Sequence, residues 1–126
     1  MIRKILFVVL SSLSLGLYAA DYNYLMTHPK QLASAYQRCQ QVEEDSTCLQ
    51  VVNAAQDFIK LVADRRDHPQ NFGKLILTNQ MLLGKLDEKL QQLPQTHPQY
   101  SQTRLAYDNQ LQKVNTLLSV VAATSM

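Results

Sequence analysis

Cys39 and Cys48 are the chain's only cysteines, and each stands at the end of a helical pattern. Leu32, Ala35 and Tyr36 lead up to Cys39; Val51, Val52, Ala55, Phe58, Ile59 and Val62 follow Cys48. Both sets step by three and four, the mark of one buried helical face. Cys39 and Cys48 continue these stripes, so both sulfurs should point inward beside the intervening turn. In that turn Asp45 or Ser46 can cap the second helix, and Glu43 and Glu44 lie where its dipole favours anions. Two antiparallel helices leaving it can bring their Cβ atoms to about 4 Å, as a disulfide requires. Closing so short a loop stabilises the fold by roughly 2–3 kcal/mol. The Cys-x8-Cys spacing is not a Cys-x-x-Cys redox pair, and no His lies between to suggest a metal.

A disulfide needs an oxidising compartment, and the amino terminus supplies a route to one. The basic start Met1-Ile2-Arg3-Lys4 precedes a short apolar run from Ile5 to Leu17, then Tyr18-Ala19-Ala20. This order reads as a signal peptide over 1–20, with cleavage after Ala19 or Ala20. Tyr18 puts a large ring where the second choice prefers a small residue. The apolar run falls short of the ~20 residues a spanning helix needs, and an uncleaved anchor is the alternative. No cysteine near the cleavage point could carry a lipid, and no later run is long enough to span a bilayer. A periplasmic or secreted protein is expected.

Export of this kind leaves 106 of the 126 residues, enough for one modest core. Of the 12 Lys and Arg, Arg3 and Lys4 would be removed; the ten left equal the ten Asp and Glu. A neutral mature chain is poorly suited to neutralise phosphates, which argues against a nucleic-acid partner. Gly and Pro are scarce, as suits helices with short connections.

Three segments share one form: Thr27-His28-Pro29-Lys30, Asp67-His68-Pro69-Gln70 and Thr96-His97-Pro98-Gln99. They contain all three histidines. Thr or Asp can cap a helix, Pro suits its first turn, and Gln70 and Gln99 stand where a capping box places them. Because Pro restricts the residue before it, His can itself take the cap position. Capping outweighs a metal site, since nothing brings the three together. Helices are thus predicted over about 29–41, 46–66, 69–93 and 98–121. Residues 21–26 are an aromatic lead-in whose Tyr22 and Tyr24 should pack on the domain.

The third stripe comprises Phe72, Leu75, Ile76, Leu82, Leu83, Leu86, Leu90 and Leu93; Gly73 and Gly84 interrupt it as close contacts or a bend. The fourth comprises Tyr100, Tyr107, Leu111, Val114, Leu118 and Val121, close to a heptad seam, with a frayed tail from Ala122. The charge cluster Asp64-Arg65-Arg66-Asp67 reads as a solvated helix end. The expected fold is all-α: a single four-helix domain over 21–126 made of two antiparallel hairpins, the first tied by the Cys39–Cys48 disulfide.

Catalytic constellations are lacking. There is no Gly-rich phosphate loop, no His-Glu-x-x-His and no Gly-x-Ser-x-Gly elbow. No catalytic, cofactor-binding or metal residue is assigned, and a non-enzyme is expected.

Tyr24, His28-Pro29, Cys39, Cys48 and Asn53-Ala54-Ala55 give residues 24–55 a form that resembles the small entry-exclusion proteins of conjugative plasmids and genomic islands. The resemblance implies an exported helical hairpin that blocks redundant conjugation by contacting the transfer machinery. Two features depart from it: the lipid-bearing Cys of many relatives is missing, and residues 70–126 have no matching part. The leading expectation is therefore an exported helical protein–protein interaction protein, with a partner in the cell envelope or outside, in a conjugation or type IV secretion setting. The alternatives are a secreted effector or toxin-like enzyme, and an envelope carrier of an apolar ligand in the seam of the last two helices.

Overall fold

The computed structural model describes residues 21–41 and 46–125. The signal peptide read over 1–20, and the roles read for the side chains of Glu43, Glu44, Asp45 and Ser46, lie outside what is described. Five helices and no strand occur among the described residues: α1 Tyr22–Met26, α2 Pro29–Gln41, α3 Ser46–Asp67, α4 Pro69–Gln92 and α5 Tyr100–Thr124. The chain divides into two compact units, Met1–Ile59 and Lys60–Met126.

In the first unit, Cys39 and Cys48 form a disulfide with their Cα atoms 5.5 Å apart. It joins the end of α2 to the start of α3. The buried apolar residues are Leu32 and Ala35 on α2, and Val51, Ala54, Ala55 and Phe58 on α3. The α3 set steps by three, one and three, which confines it to one face. Ile59, expected in that stripe, is 66% exposed, and Tyr36 also stands at the surface. Ala54, outside the expected stripe, is fully buried.

Within the aromatic lead-in, Tyr22–Met26 form the short helix α1. Asp21 caps α1, its side chain accepting from the Asn23 N–H at 3.0 Å. Leu25 and Met26 are buried. A helix this short has almost no stability of its own, so packing against neighbours must hold it. One such tie is explicit: the Tyr22 hydroxyl donates to Asp57 Oδ2 at 2.5 Å. Burial, then this bond and the Asp57 charge, push the Tyr22 hydroxyl up to about 12. The unfolded chain releases that proton near pH 10. Stability is therefore full below about pH 10 and falls as pH rises from there to about 12, because the folded state retains a proton the unfolded state has lost. Urea melts across this range should show the slope, and Tyr22→Phe should remove it. An unchanged slope in that variant would separate the tie from the Tyr22 proton.

In the second unit, α4 and α5 pack along their length. Hydrogen bonds fix their sense. Arg65, just before α4, reaches Thr124 at the end of α5, whereas Asn79 within α4 meets Gln110 within α5. Numbers rise along one helix as they fall along the other, so the pair is antiparallel, as the short 93–99 connection requires. On α4 the covered positions are Phe72, Ile76, Asn79, Leu83, Leu86 and Leu90, alternating steps of four and three. That is a heptad seam. On α5 the matching rhythm runs Thr103, Tyr107, Gln110, Val114, Leu117 and Val121. It differs from the expected stripe: Leu118 is exposed, while Thr103, Leu117 and Val120 are buried.

Gly73 and Gly84 are not close-contact positions, since a Cβ at either would meet nothing within 4 Å. The tail does not fray at Ala122, because Thr124 continues α5 and accepts from Arg65 Nη1 at 2.6 Å.

Candidate functional site

The three His-Pro segments serve local structure, each differently. His28 stacks on Tyr24 with ring centroids 3.8 Å apart. Its Nδ1 lies 2.7 Å from the Tyr24 carbonyl oxygen, a bond that requires the proton on Nδ1. The His28 carbonyl accepts from the Leu32 N–H, so His28 opens α2 while Thr27 closes α1. His68 is the cap residue of α4, again in place of the preceding Asp67. At the third segment Gln99 is the cap residue, and His97 Nδ1 accepts from the Gln99 N–H at 3.0 Å. Neither α4 nor α5 carries a side-chain cap bond, so the capping boxes expected at Gln70 and Gln99 do not form. At α4 proline accounts for this: it keeps the preceding His68 out of helical backbone, at φ -135° and ψ 62°, and moves the helix start past Asp67. Among the described residues, no group of three or more His, Cys, Asp or Glu could hold a metal ion.

The charge cluster at the end of α3 separates into two parts. Arg66 pairs with Asp67 at the surface, and their bond and charges hold the Asp67 carboxyl below its ordinary range. Arg65 is half-buried and bonded to Thr124, whose own hydroxyl donates to the Val120 carbonyl at 2.7 Å. This places a cation at the end of α5, where the helix dipole favours one. Beside it lies an open hollow of about 400 Å3, lined by Arg65, Pro69, Phe72, Gly73, Ile76 and Val121.

Inside the α4–α5 seam sits a polar pair that apolar periodicity passes over. Gln110 Nε2 donates to Asn79 Oδ1 at 2.8 Å and to the Asn79 carbonyl at 2.9 Å. Asn79 Nδ2 donates to the Leu75 carbonyl at 2.7 Å, and Asn79 is buried. A hydrogen-bonded amide pair inside a heptad seam fixes register, because any slip leaves buried amides unpaired. Gln110→Leu should therefore cost roughly 1–2 kcal/mol by stranding Asn79. Adding Asn79→Leu should recover most of that loss, which a double-mutant cycle in urea would measure. Additive losses would instead mean that the two amides do not depend on each other.

The remaining feature is apolar surface. Leu75, Leu77, Met81 and Leu82 are all exposed within eight residues of α4, with Leu77 at 61% and Met81 at 65%. Leu77 and Met81 lie one turn apart on the face turned away from the seam. Among the described residues, no helix is long and apolar enough to cross a membrane.

No family model, curated protein or solved structure matches the chain. The disulfide-tied all-helical fold and the sites above therefore define its class.

Proposed function

We propose that this is an exported helical binding protein that acts by protein–protein contact through the apolar strip of α4. The observation that carries the reading is the strip of Leu77 and Met81, both exposed and one turn apart on the face of α4 turned away from the seam. Singly scattered apolar side chains need no partner, whereas an adjoining pair on one exposed face gives a partner an anchor. Covering these two side chains is worth roughly 2–4 kcal/mol, the scale of millimolar association before ordering costs. The Cys39–Cys48 disulfide supports a periplasmic or secreted setting. The two-hairpin arrangement is part of this reading, with the first hairpin clamped by the bridge and the second presenting the strip. The likeness of residues 24–55 to entry-exclusion proteins suggests the conjugative transfer machinery as the source of the partner. The role proposed is non-enzymatic.

Two measurements test this. A photoreactive residue introduced by Met81→benzoylphenylalanine should give one saturable protein adduct in the cell envelope, lost on adding Leu77→Glu. The same residue at exposed Asn109, on the face of α5 turned away from the seam, should give none. Identical adducts from Met81 and Asn109 would remove the strip from the account. Expression in a recipient cell should lower acquisition of a matching conjugative element, and Leu77→Glu with Met81→Glu should restore it. Unchanged acquisition would discard the conjugation setting while leaving the strip.

A further inference from the structure

The hollow beside Arg65 differs from the α4 strip in both shape and charge. Its walls are Phe72, Ile76 and Val121 with the ring of Pro69, all apolar, and its one charged lining group among the described residues is Arg65. A volume of about 400 Å3 falls in the range of small-molecule sites. Gly73 contributes backbone without a side chain, and the space where its Cβ would stand is open. Gly73 is less favourable than Ala in a helix interior, with no close helix contact to offset it. Its effect is to keep the hollow clear.

Arg65 is also held in place. Its Nη1 donates to Thr124 Oγ1, and the Thr124 hydroxyl hydrogen is committed to the Val120 carbonyl. A guanidinium carries five N–H donors in a planar fork, so one such bond anchors it and leaves donors for a bidentate carboxylate. An apolar wall with one fixed cation at its rim is complementary to a molecule with one anionic end and an apolar body.

We propose that this hollow binds a small amphipathic monocarboxylate, its carboxylate on the Arg65 guanidinium and its hydrocarbon part against Phe72, Ile76 and Val121. The hollow is open on one side, so the charged end need not be fully desolvated, and the neighbouring Arg66–Asp67 pair is self-neutralised. This site would make the chain a carrier or sensor of such acids in addition to its protein contact.

The test uses the oxidised full chain and two probes of equal length, octanoate and octanol, followed by titration calorimetry and side-chain methyl NMR. Octanoate should bind at one saturable site, shifting the Ile76 and Val121 methyls. Octanol should bind at least about tenfold more weakly, the scale of a lost charged hydrogen bond. Arg65→Gln should reduce octanoate affinity to the octanol level, while Arg65→Lys retains part of it. Gly73→Leu should abolish binding of both probes by filling the hollow. That change favours helix, so its circular dichroism melt should stay at or above wild type. Octanoate binding that survives Gly73→Leu, equal affinity for the two probes, or no saturable binding would each overturn the proposal. Its loss would leave the Met81 adduct untouched, because Leu77 and Met81 do not line the hollow.

Discussion

Leu25→Ala lowers the free energy of unfolding by about 3 kcal/mol, the usual cost of emptying a buried leucine site. Leu25 is 1% exposed, and Met26 beside it is 3% exposed. Both belong to a five-residue helix that cannot form alone. If α1 holds its place, it does so because these side chains are covered, the Asp21 cap closes its first turn, and Tyr22 bonds to Asp57. The control is Leu77→Ala. Leu77 is 61% exposed, so its truncation should change stability by no more than about 0.5 kcal/mol. Urea denaturation of both variants gives the comparison. Equal, small losses would mean that residues 21–26 are an appendage.

Cys39→Ser, alone or with Cys48→Ser, lowers stability by about 2–3 kcal/mol. The bridge closes a loop across nine positions, and the chain-entropy estimate for so short a loop lies in that range. The effect acts mainly on the unfolded chain, which regains freedom the crosslink had removed. Wild-type protein in excess reductant should therefore melt like the double variant, and reductant should not move the double variant. A wild-type midpoint indifferent to reductant would mean that the bridge contributes nothing to the fold.

How much of this was legible in advance depends on what each feature asks of the chain. Helices long enough to repeat an apolar period announce themselves, and α2 to α5 lie within a few residues of where the period and the prolines put them. Five residues hold barely one turn, so α1 has no period to read, and only Asp21 marked it. Buried stripes are narrower than apolar stripes. Ile59 and Leu118 fit the spacing, yet they fall on the flank that no neighbour covers. The seam was partly hidden because Asn79 and Gln110 occupy core positions, and a rule that searches for apolar residues skips them. The hydrophobic flanks Leu75 and Leu82 then masked the heptad rhythm. Arg65 looked like one more charge in a solvated cluster. Its reach to Thr124, and the hollow beside it, exist only once residues 59 positions apart meet. Of the candidate site, the disulfide alone was readable, since two cysteines leave only one pairing.

The central claim is that this chain is an oxidised, exported helical protein. Intact-mass measurement of the protein from its native cell, alkylated without prior reduction, bears on both parts at once. The account predicts a species lacking residues 1–19 or 1–20 and carrying no alkyl group. A full-length chain with two alkylated thiols would contradict it.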